Sequence, residues 1–245
     1  MLVIWQHPGT RSMEPVARLD RDAAGYRLRY LARALDVTDF RPLLGFPDLD
    51  GDYRSRSLFS LLAGRAMSPR RPDYRAYREA LDLDTLAGPW DELAASQGSQ
   101  MTDGLQLFGV PVHVHSEGWA CPFLVHGIRH VQAGVTADVQ DRIDRLRRGD
   151  RLGLISDPDN EHNPHAVLTT DGGGYALGWV PDFLLPHLRG LRRVREPSVT
   201  VAHTNPRDVA GHLRLRILLR GDGPDGYRPF AEVGFEPLGE TAATA

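Results

Sequence analysis

The sequence contains no lysine: all 29 of its basic side chains other than histidine are arginine, set against 32 aspartates and glutamates. That absence excludes chemistry carried by a lysine amine, namely a Walker-type phosphate loop, a Schiff base on a cofactor aldehyde, or the strand lysine of a protein kinase. Cysteine is nearly absent as well. With Cys121 alone among 245 residues, no internal disulfide can form, multi-cysteine zinc modules and iron–sulfur sites are excluded, and a reducing cytoplasm is the expected location. Long apolar runs are also missing. After Met1 only Leu2 to Trp5 are consecutively apolar, with no basic stretch before them, so the expectation is a chain neither secreted nor membrane-spanning.

What is present describes globular material. Hydrophobic residues make up 41% and charged residues 25%, enough apolar surface for a core, and 245 residues suggest two domains. The arginine bias accords with GC-rich codon usage, yet arginine also supplies permanently charged planar forks suited to phosphate and carboxylate. Charge is uneven along the chain. Residues 1–120 hold 14 Arg and 16 acids, 121–220 hold 14 and 11, and 221–245 hold 1 and 5, so a segment of +3 lies between flanks of -2 and -4. A basic segment between acidic flanks is a signal for nucleic acid.

Periodicity gives the elements. PVARL (15–19) and YRLRY (26–30) alternate apolar and charged residues and read as a hairpin around DRDAAG. Helices are expected from Ser57, with Leu58, Leu61 and Leu62 on one face; after Pro72, with Tyr74, Tyr77, Ala80 and Leu81; and from Pro89 to Ala95. Strand-like VPVHVH (110–115) and CPFLVHGIRHV (121–131) follow. Thr136 to Arg148 reads as an amphipathic helix with Asp138/Arg142, Asp141/Arg145 and Asp144/Arg148 at i,i+4 and Gly149 as its cap. Further strands are expected at 151–155, 166–170, 175–180, 198–203 and 213–219, with a short helix at 186–191. The fold class expected is α+β: an N-terminal α+β module over 1–109, a small curved sheet or barrel with two helices over 110–236, and a disordered tail over 237–245.

The densest polar cluster is SDPDNEHNPHAV (156–167), between two expected strands. It reads either as a turn built by Asp-Pro and Asn-Pro, with Asn160 bonding its own backbone, or as a loop whose polar groups meet a ligand. A metal reading gathers His162, His165, Asp157 and Asp159 as N/O ligands, although no HExxH or cysteine pair accompanies them. His113 and His115 share a strand face. Cys121, before Pro122, reads as a buried strand residue. No complete catalytic set is visible, and no cofactor is implied.

The order Gly127-Ile128-Arg129-His130, Arg148-Gly149-Asp150, Leu152-Gly153-Leu154, Asp157-Pro158-Asp159-Asn160, Ala166-Val167 and Gly178-Trp179-Val180-Pro181 resembles the HIRAN domain family over about residues 121–220. The resemblance implies a small OB/SH3-like barrel, which in eukaryotic fork-remodelling helicases binds the 3′ end of single-stranded DNA and in bacteria also occurs outside helicases. It implies that Arg129 lies by the DNA backbone, that His130 and His162 stack bases, that Asn160 belongs to the binding loop, and that Trp179 keeps an aromatic surface at a tyrosine or histidine position. Asn163 stands where an acid reads the terminal hydroxyl, and Asp182 where the helicase form has a lysine. Glu161 and His165 also depart from the family's proline and asparagine. RGLRRVR (189–195) has no acid before Glu196, so Arg192, Arg193 and Arg195 are candidates for a phosphate track.

In the N-terminal part, Tyr26 to Tyr30, Phe46-Pro47-Asp48-Leu49, Tyr53-Arg54-Ser55, Leu58-Phe59 and Arg65 resemble the first subdomain of HipA-type toxin kinases. That resemblance implies a small α+β cap that contacts a protein partner and carries no phosphotransfer residue; a generic α+β module is the other reading. Three functions stay open: a protein binding single-stranded DNA or DNA ends in repair, replication or defence; a metal-dependent nuclease or hydrolase using the loop at 157–165; and a protein-interaction module without DNA affinity.

Overall fold

The computed structural model describes residues 1–100, 103–131 and 138–239. The chain forms two compact units, one of 1–110 together with the segment from Phe230 onward, the other of 111–229. No helix among the described residues is long and apolar enough to cross a membrane.

In the first unit, strands β1 (Leu2–Gln6), β2 (Met13–Asp22), β3 (Gly25–Tyr30), β4 (Tyr53–Ser55) and β5 (Leu105–Phe108) form an antiparallel sheet in the order β4-β3-β2-β1-β5. The hairpin expected at 15–30 is β2–β3. Asp22 closes its turn by accepting from the N–H groups of Ala24 and Gly25 through Oδ1. β1 carries a run rather than an alternation, because Leu2, Val3 and Ile4 are all buried in a strand with neighbours on both sides. Helices α1 (Ser60–Ala63), α2 (Tyr74–Ala80) and α3 (Pro89–Ser96) follow, close to their expected places. Val3, Leu19, Leu28, Leu62, Leu93 and Leu107 form the core. Tyr30 serves it from within, its hydroxyl donating to Phe46 O at 2.8 Å and accepting from Leu43 N at 2.6 Å. Arg65 is buried and donates to Gly98 O at 2.8 Å, to Leu105 O at 3.0 Å and to Asp103.

The boundary expected at 236 is corrected. Ala32 N donates to Glu236 O at 2.9 Å and Leu238 N to Tyr30 O at 2.8 Å, so the stretch from Phe230 to Gly239 belongs with the first unit. Its anchors are apolar: Phe230 and Phe235 are buried, and Phe230 meets Phe108 edge-on. Pro237 to Gly239, assigned to a disordered tail, are therefore held; the remainder, 240–245, lies outside the described residues.

In the second unit, β6 (Val112–Val114), β7 (Gly118–Leu124), β8 (Arg151–Ser156), β9 (Val167–Thr170), β10 (Ala176–Trp179), β11 (Ser198–Thr204) and β12 (Leu215–Gly221) form one antiparallel sheet in the order β10-β9-β8-β11-β12-β7-β6. β12 shows its pattern plainly, burying Leu215, Ile217 and Leu219 and leaving the residues between them half-buried. The sheet is not closed into a barrel. One isolated antiparallel bridge, His126 with Trp179, links the chain after β7 to the end of β10. The strand expected to continue to 131 stops at Leu124, because Gly127 turns the backbone to φ +68° and Ile128–His130 coil into a 3₁₀ turn.

Helix α4 (Val139–Arg145) is shorter than expected; the start assigned at Thr136 lies outside the described residues. Asp138 caps it by accepting from Gln140 N, and Leu146 ends it in extended conformation. Gly149 N then bonds Val201 O at 2.8 Å, serving the sheet instead of the helix. Asp141, Asp144 and Arg142 of the helix also bond to other elements. Arg207 takes Asp141 and Asp144, buried Arg214 reaches Gln140 and Asp144 at 2.8 and 2.7 Å, and Arg142 joins Asp171 at 3.0 Å while lying over Tyr175. Cys121 is buried in β7 as expected, and burial pushes its thiol well above the usual range.

Helix α5 (Leu185–Arg192) packs by Leu185, Leu188 and Leu191, with His187 wholly buried and its Nδ1 2.8 Å from the Tyr227 hydroxyl. Gly190 is required because the Tyr227 ring would stand 2.6 Å from any Cβ there. Burial lowers the His187 imidazole to about 4, against ~6.5 for a free histidine. Below ~6.5 the unfolded chain binds a proton that the folded chain refuses until about 4, so stability is complete above that window and falls as pH drops through it. The expected loss is on the order of 2 kcal/mol by pH ~5. Denaturant melts at pH ~7.5 and ~5 check this, and His187→Leu should reduce the difference by about that amount without abolishing it, because burial also lowers His126 to about 4 and the Met1 amine to about 5; an unchanged pH dependence in that variant would remove His187 as a source.

Candidate nucleic-acid interface

Three separated stretches of the second unit meet at Trp179. Its backbone exchanges two hydrogen bonds with His126, N to O at 2.9 Å and O from N at 3.0 Å, which fixes the Gly127–His130 turn against the end of β10. Its indole N–H donates to Asp157 Oδ2 at 2.8 Å, which fixes the loop at 157–165. Two glycines permit this. A Cβ on Gly127 would stand 2.7 Å from the Trp179 ring, and one on Gly178, at φ +149°, would stand 2.5 Å from His126 O. Only glycine fits both the backbone angle and the space.

The loop is held from inside by its own short polar side chains. Asp157 N bonds Ala166 O at 2.9 Å across the base, and Asp157 Oδ2 accepts from Asn160 Nδ2 at 2.9 Å as well as from Trp179. Asn160 Oδ1 accepts from the N–H groups of His162 and Asn163, each at 3.1 Å. Asn163 Oδ1 accepts from His165 N at 2.9 Å, and its Nδ2 donates to Asp182 Oδ1 at 2.7 Å. This is the Asx-turn reading of the sequence, repeated along the loop. The bonds from Asn160 and then from Trp179 hold the Asp157 carboxyl below its ordinary range.

The candidate residues thus fall into groups. Asn160, Asn163 and Asp157 are half-buried and spend their polar groups within the loop and on its two neighbours. His162, His165, Asp159 and Glu161 are exposed on it. Arg129 and His130 are exposed on the adjoining turn, where Arg129 Nε donates to His130 Nε2 at 3.0 Å. Trp179 is half-buried. The arginine track is corrected in part. Arg192 is paired with Glu196 at 2.8 Å and Arg195 with Asp222 at 2.7 Å, so two of the three cations expected to lack acid partners have them. Asp222 escaped notice because it comes close only through the fold. Arg193 is exposed and makes no ion pair among the described residues.

The metal reading finds no gathered site: among the described residues no group of three or more His, Cys, Asp or Glu is placed to hold an ion. Asp157, the carboxylate nearest the centre of the loop's bonding, is turned to an amide and an indole. Sequence reasoning missed His126, whose neighbour Gly127 was visible, and missed that Asp157 serves Trp179. The spacing Asp-x-x-Asn, an Asx pattern, was the signal available for the second.

No family model matches the chain, and no curated protein matches it. Among solved structures, the crystal structure of the HIRAN domain of human HLTF is similar over 42% of this chain and 76% of that one, at 15% identity and a TM-score of 0.28. A likeness so slight carries no argument, and the geometry above stands by itself.

Gly178→Ala should lower the stability of the second unit by roughly 2 kcal/mol or more, since both the backbone angle and a backbone oxygen oppose it. Gly127→Ala should cost less, because the Trp179 ring can shift, but should change the tryptophan emission. Thermal melts with fluorescence detection check both; an unperturbed Gly178→Ala would show that the bridge is dispensable.

Proposed function

We propose that the second unit is a HIRAN-like module that binds single-stranded DNA or DNA ends, its sheet an opened form of the OB/SH3-like barrel with its seam at the His126–Trp179 bridge. The observation that carries this reading is the convergence on Trp179. The motif-bearing turn and the polar loop, about thirty residues apart in sequence, are both bonded to it, leaving Arg129 and His130 exposed on the one and His162 on the other. Flat rings offer sequence-tolerant stacking, and an arginine fork offers a phosphate contact. Asn160 and Asn163 act here by shaping the loop. Of the three candidates Arg192, Arg193 and Arg195, Arg193 is the one without an ion pair among the described residues and so available to a phosphate. On this reading the protein acts in the cytoplasm, in repair, replication or defence, and the HipA-like first unit engages a protein partner.

A second reading is favoured by one observation: Asp159, Glu161 and Asp182 are exposed on the loop and on its hydrogen-bonded neighbour, and acids there repel phosphate. The same scaffold would then recognise a protein. Binding of the purified chain to a fluorescent oligonucleotide with a 3′ overhang, followed at rising salt, separates the two. The first reading expects salt-sensitive binding weakened about tenfold or more by Arg129→Ala with His162→Ala, since a stacked base contributes ~1–3 kcal/mol. Absence of binding at low salt, or indifference to the double substitution, defeats it and leaves the interaction module.

A further inference from the structure

A separate recess lies on the first unit, at the turn between β2 and β3. It is open, with a volume of about 580 Å³, and is lined by residues 21–26 and by Arg56. Its construction follows from one glycine. Gly25 has φ +128°, and a Cβ there would lie 2.3 Å from Ser55 O and 2.9 Å from the Arg56 Cα. The bare backbone lets the end of β4 press against the turn, in register with Tyr26 opposite Ser55, and so brings Arg56 to the recess that Arg21 also lines.

These two arginines differ from their neighbours. Arg18, Arg27 and Arg54 on the same sheet each meet an aspartate within 3.0 Å. Arg21 and Arg56 are exposed and have no carboxylate partner among the described residues. The acid in the recess is Asp22, whose Oδ1 is taken by the N–H groups of Ala24 and Gly25. Two like charges lining one recess favour an anion seated between them. Half-buried aromatic rings adjoin Arg21. Arg21 Cζ stands 6.0 Å from the Trp90 ring centre, and Trp90 lies 6.1 Å from Tyr26, which itself lines the recess.

We infer that this recess binds a nucleotide unit, with Arg21 and Arg56 on the phosphate and the Tyr26–Trp90 surface against the base. The pairing of two unmatched guanidinium forks with adjacent rings fits a phosphate joined to a flat heterocycle better than a bare anion. The unit's source is either a free nucleotide or a single strand. The inference concerns the first unit and is independent of the DNA-binding reading of the second.

The test uses the full chain carrying Arg129→Ala and His162→Ala, which removes the other candidate contacts. Calorimetric titrations with adenosine 5′-monophosphate, a twelve-residue oligothymidine and inorganic phosphate identify the source. Saturable binding of either of the first two, weakened about tenfold or more by Arg21→Ala with Arg56→Ala, is the expected result. Trp90→Phe should abolish the accompanying change in tryptophan emission while calorimetry still detects binding. No saturable binding of either nucleotide probe, binding unmoved by the arginine substitutions, or inorganic phosphate binding as tightly as the nucleotide would each overturn the inference.

Discussion

Everything proposed for the second unit depends on a backbone-to-backbone approach that only glycine allows. Gly127 and Gly178 bring the chain after β7 within hydrogen-bonding distance of the end of β10. Without that approach the sheet would end at β10 as an unpaired edge, and the Arg129 turn would have no fixed relation to the loop at 157–165. Trp179 is the element that turns backbone pairing into a site, since its main chain belongs to the bridge and its indole to the loop. One residue therefore transmits position in two directions, and the side chains left exposed around it inherit their geometry from it.

Arginine plays a structural part that a count of cations conceals. In the first unit Arg65 gathers two carbonyls and a carboxylate in the interior, and in the second Arg214 ties α4 to the start of β12 through Gln140 and Asp144. A planar fork can satisfy several acceptors at once with a single charge, where an ammonium would need more hydration. Several arginines that sequence leaves without a partner, Arg195 and Arg207 among them, are matched to acids through the fold, so net charge along a segment is a poor guide to where an anion would be attracted. The places worth probing are those where a guanidinium is left without its acid.

The sequence made most of the elements legible, but no strand was read at β1, β4 or β5. Hairpins and short helices announced themselves through alternation, prolines and caps. β1 did not, because a strand flanked on both sides reads as an apolar run, and Leu2 to Ile4 lack polar residues between them. The end of α4 was misplaced because Val139, Ile143 and Leu146 continue a helical stripe although Leu146, itself buried, has already left the helix. The acids of α4 were read only as partners of arginines four residues on, and the tertiary partners Arg207 and Arg214 of Asp141 and Asp144 come close only through the fold. Of the site, the motif residues were visible in order, but their division into exposed candidates and internal braces was not. Asn160 was legible as a turn former, whereas Asn163 looks in sequence like any polar contact residue, and only its bonds to His165 and Asp182 show that it holds the loop.

The solitary thiol of Cys121, sealed inside β7, leaves the folded chain almost inert toward maleimide and iodoacetamide reagents. A cysteine placed deliberately at an exposed position such as His162 would consequently react alone. With no lysine side chain to compete for amine-directed dyes, such a chain accepts one fluorophore or spin label at one address. The same scarcity of reactive side chains that narrows the chemistry this protein can perform makes it a clean background for spectroscopy.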